Sequence, residues 1–288
     1  MRAYKNNPGG LLAALFARVI VFISAVLYEN GIITEELYLK IISAAESETS
    51  VSSELEVHFI DVGQAECILV IAPEKTVLID AGDVGCGSDI ENHLRTYGIY
   101  TIDLFIASHP HADHIGSASD LLAKFPVAEV IMPEIPAEYL PTTSLYEEFL
   151  KTLSRKNCSV SYAEIGTEYD LGGGVTLEIL GPRGEFGDNL NNYSVISKLV
   201  YGETSFLFTG DAEEEAELAL LAAGADVSCT VLNAGHHGSS TSTCGEFLAA
   251  ANPKFAAISC GYNNDYGHPH KETLAALNER GIEYYRTD

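Results

Sequence analysis

The chain has 288 residues, 47% of them hydrophobic, which is enough to bury a full core in one large domain or one domain with an appendage. Sixteen basic against 41 acidic residues leave a formal charge of −25, so the long-range field repels polyanions, and no basic, aromatic-interleaved patch offsets it. Six cysteines, Cys67, Cys86, Cys158, Cys229, Cys244 and Cys260, form no C-x-x-C pair and no regular spacing, which argues against a zinc ribbon or a disulfide framework. Cys67, Cys229 and Cys260 fall inside strand-like apolar runs, where a thiol packs as a small hydrophobe.

Arg2 and Lys5 precede Leu11 to Tyr28, an almost unbroken apolar stretch of about the length needed to cross a bilayer. It reads as a signal-anchor or an uncleaved signal sequence. No small-x-small cleavage site follows at once, although Ser43-Ala44-Ala45 lies farther on. Arg18 in its middle weakens a span and leaves a buried or partner-binding amphipathic helix as the competing reading. Glu46 to Glu54 is polar and serine-rich and reads as a linker. Residues 1–54 are therefore expected to form a hydrophobic N-terminal segment with its linker, and residues 55–288 the globular domain.

Leu55 to Ile60, Cys67 to Ile71 and Thr76 to Ile79 are predicted strands of an opening antiparallel meander. Ser88 to Gly98 is a predicted helix with Ser88 as N-cap, Ile90 and Leu94 on one face and Gly98 as its stop. A buried strand at Leu104 to Ala107 and a helix from about Ile115 to Lys124 follow, then a helix over Thr142 to Lys156. Further strands are predicted at Val175 to Leu180, Ser194 to Tyr201, Ser205 to Thr209, Thr230 to Leu232 and Phe255 to Ser259. Helices are predicted at Ala212 to Ala223, Thr243 to Ala251 and Lys271 to Arg280, and Tyr284 to Asp288 reads as the start of a closing strand that stops early. Strands in two groups with helices between them give a layered α/β protein without internal repeats.

The densest chemistry lies on the turn leaving the Leu104 to Ala107 strand. His109-Pro110-His111-Ala112-Asp113-His114 packs four metal-capable side chains into six residues, and imidazole nitrogen with carboxylate oxygen suits zinc, manganese or iron. A turn between strand and helix also limits the entropy lost in assembling such a site. A solvated histidine-rich loop is the plainer alternative, and the further His and Asp residues downstream argue against it.

Ser108 to Ser117 (SHPHADHIGS) resembles the metal motif of the metallo-β-lactamase superfamily. The rest is similar to one branch, the hydrolase domain attached to ComEC-type competence channels and its stand-alone relatives. The matching segments are HFIDVGQAECILV (58–70), LIDAGD (78–83), NNYSVISKL (191–199), FTGDAEEE (208–215), HHGSS (236–240) and YGHPH (266–270). The resemblance implies a four-layer αββα sandwich with the metal site at one edge between its two sheets.

It also implies roles. Asp211, after the strand ending at Thr209, would bridge two divalent ions, zinc or manganese, one oxygen to each; an N-cap is its plainer role. His109 and His111 would hold one ion and Asp113 and His114 the other, with Asp113 also counted among the catalytic groups. His236 and His237 offer the remaining imidazole, and which of them binds stays open. Asp80 would orient a ligand through a hydrogen bond. Asn191 to Ser194 stands where many superfamily members carry a metal-binding histidine. The ComEC-like branch has asparagine there too, and an amide oxygen shifts preference toward manganese. Asn192, Ser239, Ser240, His268 and His270 are candidates for contacting substrate, and His268 or His270 for protonating the leaving group, a rigid cap with solvated imidazoles being the plainer role of the latter pair.

The expected activity is metal-dependent hydrolysis of a phosphodiester by a metal-bridging hydroxide, between ions roughly 3.5–4 Å apart. Single-stranded DNA or a cell-surface polymer would be the substrate, and the charge weighs against DNA. A membrane-tethered, metal-stabilised binding module and a hydrolase of non-phosphate esters are the alternatives. Membrane association through residues 11–28 would place the domain outside the cytoplasm, anchored or secreted, with a cytoplasmic location left open. No obligate protein partner is evident.

Overall fold

The structure, a computed structural model, describes residues 8–46 and 54–288. The opening strands β1 (Glu56–Phe59), β2 (Ile68–Ile71) and β3 (Thr76–Ile79) pair antiparallel as the meander predicts. Every residue of β2 is buried, which places the strand between two cores. Its alternate side chains Ile68 and Val70 enter the space between the sheets, while Leu69 and Ile71 face an outer layer of helices. From β3 the pairing turns parallel, through β4 (Ile102–Ile106), β5 (Val127–Met132) and β6 (Ser159–Tyr162). The crossovers carry α3 (Gly87–Thr96), α4 (Ala112–Ile115), α5 (Ala118–Lys124) and α6 (Ser144–Lys156).

The second sheet runs in the order β13-β12-β11-β10-β9-β8-β7. Its antiparallel part is β7 (Glu168–Asp170), β8 (Val175–Gly181), β9 (Ile196–Tyr201) and β10 (Thr204–Phe208). From β10 it continues parallel through β11 (Val231–Asn233), β12 (Phe255–Ile258) and β13 (Glu283–Arg286). α7 (Glu214–Ala222), α9 (Gly245–Ala251) and α10 (Lys271–Glu279) cover its outer face, and α8 (Gly235–Gly238) is a single distorted turn. Three cores, one between the sheets and one under each helical layer, make the αββα sandwich.

Several local expectations shift. The helix expected over Ile115 to Lys124 is broken into α4 and α5. Gly116 packs so closely that a Cβ would lie 2.4 Å from the Asp83 carbonyl carbon and 2.3 Å from the Val84 nitrogen. Ser117 donates its hydroxyl to the Asp83 carbonyl at 2.7 Å, so tertiary contacts redirect the chain there. Ser88 does not cap α3; Cys86 takes the N-cap position without a side-chain hydrogen bond. β5, β6 and β7 are additions to the predicted strands, and the last two are mostly exposed, short and without an apolar run to announce them.

At the N-terminus α1 (Pro8–Glu29) and α2 (Glu35–Glu46) form a hairpin. Val21 and Ala25 pack on Tyr38 and Ile42, and the Tyr28 and Tyr38 rings stack at 4.7 Å. Tyr38 donates to the Tyr100 carbonyl at 3.3 Å, Lys156 donates to the Tyr28 hydroxyl at 2.8 Å, and Arg95 pairs with Glu29, so the hairpin rests on the first helical layer. Val19, Ile20, Phe22, Ile23 and Val26 stay exposed on the opposite side. Among the described residues no helix is long and apolar enough to cross a membrane. Residues 1–7 and 47–53, the latter most of the linker expected over Glu46 to Glu54, and the side chains of residues 8–18 and 43–46 lie outside the described residues.

Candidate metal centre

Parallel strands of both sheets end at one edge of the sandwich. Asp80 follows β3, the 109–114 loop follows β4, Asp211 follows β10, His236 and His237 follow β11, and His268 lies in the loop after β12. Asp80, His236 and His237 all have left-handed backbones, with φ of 59°, 51° and 54°. A non-glycine residue is rarely held there, and the surrounding contacts must over-determine each one.

Asp211 is fully buried at the centre, and its two oxygens look in two directions. Oδ1 lies 3.1 Å from His114 Nε2 and 3.7 Å from His237 Nε2. Oδ2 lies 3.5 Å from His236 Nε2 and 3.9 Å from His109 Nε2. His109 Nε2 is in turn 3.0 Å from His111 Nδ1. Asp113 reaches His237 Nε2 at 3.2 Å, and Asp113, His114, Asp211 and His237 can each present a ligand atom to a common point, all within 4.8 Å of one another. His237 therefore joins the Asp113 and His114 group, while His236 faces the other carboxylate oxygen.

The imidazoles are oriented from behind. Asp80 Oδ2 takes the Nδ1 side of His114 at 2.7 Å, and Asp80 is itself fixed by the Ser108 backbone N–H and hydroxyl, each at 2.7 Å. His237 Nδ1–H donates to the Ser259 carbonyl at 2.9 Å. Both rings thus turn Nε2 into the cluster. His114 Nε2 and Asp211 Oδ1 are buried 3.1 Å apart without a well-formed hydrogen bond, and both belong to the group whose ligand atoms lie within 4.8 Å of one another. That geometry fits a cation.

The charges agree. Burial works against an imidazolium at His237, but the Asp211 and Asp113 carboxylates outweigh it and raise that ring to about 9. Burial likewise opposes charge on His114, and Asp211 with Asp80 lifts it well above the usual imidazole range. The same histidines hold Asp113 and Asp211 below the usual carboxylate range against burial. His109, buried beside His114, is pushed well down. Protons stand here in positions that a divalent ion would compete for.

The remaining expected residues divide. His268 sits beside the cluster, its ring 5.6 Å from that of His236, and burial with the neighbouring imidazoles lowers it to about 4. His270 spends both nitrogens inside its loop: Nδ1 accepts from the Ser240 backbone N–H at 3.0 Å and Nε2–H donates to the Tyr266 carbonyl at 3.2 Å. Ser239 pairs with the Thr241 hydroxyl at 3.1 Å and Ser240 with His270 at 3.1 Å. Asn192 is turned away to the start of α7, where Oδ1 accepts from the Glu213 N–H at 2.9 Å. Asn191 is the amide that stands beside His111, and its Oδ1 is buried without a partner. Glu213, Gln64 and Glu66 also line the site; they lie within the segments that carry the resemblance, which suggested no role for them. Glu213 ties His236, Thr241 and Asn189 together. Glu66, raised to about 7 by burial, accepts from Asn233 at 2.8 Å.

A four-layer sandwich with a His/Asp cluster at its strand ends is the framework of a metal-dependent hydrolase. The chain belongs to the metallo-beta-lactamase superfamily, whose family model matches residues 60–262. It is 28% identical to ComE operon protein 3 of Bacillus subtilis over 98% of this chain and 38% of that protein. It is 30% identical to competence protein ComA of Neisseria gonorrhoeae over 79% of this chain and 30% of that one. The chain thus spans well under half the length of these curated relatives. Among solved structures it is similar to the metallo-beta-lactamase fold protein YhfI from Bacillus subtilis (TM-score 0.51, 13% identity, 81% of this chain and 95% of that one). CmlA, a diiron beta-hydroxylase from Streptomyces venezuelae, is similar over 86% of this chain and 55% of its own (TM-score 0.52, 14% identity). At such identities these likenesses show the fold alone.

Proposed function

We propose that the chain is a binuclear metal-dependent phosphodiesterase. The observation that carries this reading is Asp211, a buried carboxylate whose oxygens each face a separate set of imidazoles. His109, His111 and His236 would hold one divalent ion with Asp211, and Asp113, His114 and His237 the other, zinc or manganese in each case. Such ions supply Lewis acidity to the attacking water and to the phosphoryl oxygens. The chain's own residues do the rest. Asp80 and the Ser259 carbonyl keep two imidazoles presented through Nε2. Asp113, whose side chain is 34% exposed, is the carboxylate of the cluster that reaches solvent and would orient the incoming water by accepting a hydrogen bond from it. His268, beside His236, would donate a hydrogen bond to a phosphoryl oxygen or to the leaving oxygen.

The charge of −25 favours a phosphodiester within a cell-surface polymer over single-stranded DNA, since steering of a bare polyanion is unfavourable. Association with a lipid surface through α1 accords with its exposed Val19, Ile20, Phe22, Ile23 and Val26 and with Arg2, Lys5 and Arg18 as the charged residues of the first 28. On this reading the domain is held at the envelope, and flotation with anionic vesicles tests it: wild type floats, and Phe22→Asp with Ile23→Asp stays in solution.

The catalytic reading is tested on protein purified without chelator. Metal content by mass spectrometry is measured alongside hydrolysis of bis-p-nitrophenyl phosphate after zinc or manganese is restored. Two ions per chain with metal-dependent cleavage is the expected result. No cleavage with either metal would sink the phosphodiesterase reading.

A further inference from the structure

Gln64 lies in the loop between β1 and β2, far in sequence from the loop after β12, yet the two loops touch. At Gly261 a Cβ would stand 2.8 Å from the Gln64 backbone nitrogen and 3.1 Å from the Gly63 carbonyl carbon, so only glycine admits this approach. The closeness sets the Gln64 side chain. The Gly261 backbone N–H donates to Gln64 Oε1 at 3.1 Å, and a backbone N–H can only donate. The amide oxygen is thereby assigned, and Nε2 must be the atom facing His268 Nδ1 at 3.3 Å. An amide nitrogen can only donate as well, so His268 Nδ1 is the acceptor.

We infer that Gln64 is a positioning residue that locks His268 in the tautomer with its proton on Nε2. The neutral ring then offers one N–H donor, and among the described residues that Nε2 has no hydrogen-bond partner, whereas both nitrogens of His270 are occupied. Asn264 holds the loop in place by accepting from the His268 N–H at 2.9 Å and donating to the Gly261 carbonyl at 2.9 Å. Tyr266 lies against the ring, 5.6 Å between centroids and 27° between planes. The inference rests on the proposed hydrolysis only for what the donor serves: a hydrogen bond to the charge that develops on a leaving alkoxide, whose proton comes from water, in preference to an activated aryl ester that leaves unaided.

The test reads the tautomer and the reaction separately. Full-length chain labelled with 15N-histidine, without metal and with zinc, gives two-bond 1H–15N correlations that distinguish Nδ1–H from Nε2–H, with His268→Ala assigning the resonance. Wild type is expected to show Nε2–H at pH 7. In Gln64→Glu the carboxylate accepts in place of donating, and the signal is expected to move to Nδ1–H, with metal content unchanged. The same variant should lose about tenfold in kcat on an alkyl phosphodiester with little change in KM. Its change on bis-p-nitrophenyl phosphate should be under about threefold. Gln64→Leu, which removes the donor without adding charge, should give a mixture of tautomers. Nδ1–H in wild type, or an unchanged tautomer in both Gln64 variants, overturns the inference. A shifted tautomer with unchanged alkyl-ester turnover supports the lock and overturns the proposed role of His268.

Discussion

On the side of the first sheet, His109, His111, Asp113 and His114 arrive in one hexapeptide leaving β4, whereas the second sheet delivers Asp211, His236, His237 and His268 from separate loops after β10, β11 and β12. The first group is held from below. Ser108 at the strand end fixes Asp80, Asp80 fixes His114, and the Val195 N–H donates to the Ser108 carbonyl at 2.9 Å. The second group is held sideways, loop against loop. Glu213 joins Thr241, Glu217 joins Thr243 and Cys244, and Ser240 joins His270. A strand end places ligands through the sheet's own rigidity, while loops need polar cross-ties to reach comparable precision.

Asp211 is where the two constructions meet, and breaking it should cost most. Asp211→Asn keeps the shape and removes the charge. It is expected to lower turnover by at least about 10³-fold, in line with the several kcal/mol that metal ions contribute to such reactions. Bound metal should fall from two ions toward one or none while the circular dichroism spectrum is kept. Turnover within tenfold of wild type would remove Asp211 from the bridging position.

Asp80 separates orientation from ligation on the first side. Asp80→Ala leaves every metal-directed atom in place but frees the His114 ring, so metal affinity is expected to weaken about 10–100-fold. Competition with a chromogenic chelator measures this. Unchanged affinity would mean that the strand end alone orients His114. Residue 80 also has φ of 59°, so alanine carries a backbone cost; Asp80→Asn, better suited to that region, separates the two effects.

The first side was legible in the sequence because its chemistry is contiguous. Four ligand-type residues within one hexapeptide after an apolar strand need no tertiary knowledge to be read together, and the apolar run of β2 and the alternation in β8 made those strands legible, while the sandwich itself came through the resemblance. The second side was legible only through motif resemblance, and its details were not. Nothing in HHGSS says that His236 and His237 both take left-handed backbones and so face different oxygens of Asp211. Nothing in NNYS says that Asn192 turns to the start of α7 while Asn191 stands beside His111. Gln64 and Glu217 act across sequence separations that no periodicity encodes, and the break at Gly116 follows from a chain segment packed against it.

Glu217 tests the sideways construction. It is fully buried, accepts from the Thr243 N–H at 2.5 Å and the Cys244 N–H at 2.8 Å, and holds Thr243 at a φ of 57°, a rare position for a β-branched residue. Glu217→Ala orphans two backbone donors and is expected to cost about 2–4 kcal/mol in urea unfolding. Burial raises this carboxyl from 4.5 to about 7. A raised folded value means that the native state binds the proton more tightly, so the contribution is full below about 4.5 and is lost as pH rises through about 7. The stability of wild type relative to Glu217→Gln should therefore fall by about 2–3 kcal/mol between pH 5 and pH 8. A difference independent of pH would show that the two backbone donors keep Glu217 ionised throughout.

The smallest effect is expected where loop meets loop without reaching the centre. His270 shares its GHPH turn with His268, and the sequence offers no reason to rank them. In the structure its Nδ1 accepts from Ser240 and its Nε2 donates to the Tyr266 carbonyl, so it joins the end of the HHGSS loop to the turn before α10 and presents no free nitrogen to the site. His270→Ala should then cost about 1–2 kcal/mol of stability, the worth of two hydrogen bonds at a partly exposed position. Turnover of an alkyl phosphodiester should fall by no more than about threefold, whereas His268→Ala should lose about 10²-fold. Equal losses in the two variants would mean that the turn opens when substrate binds and releases the His270 ring, and loop-against-loop ties would then be part of the reaction cycle as well as of the fold.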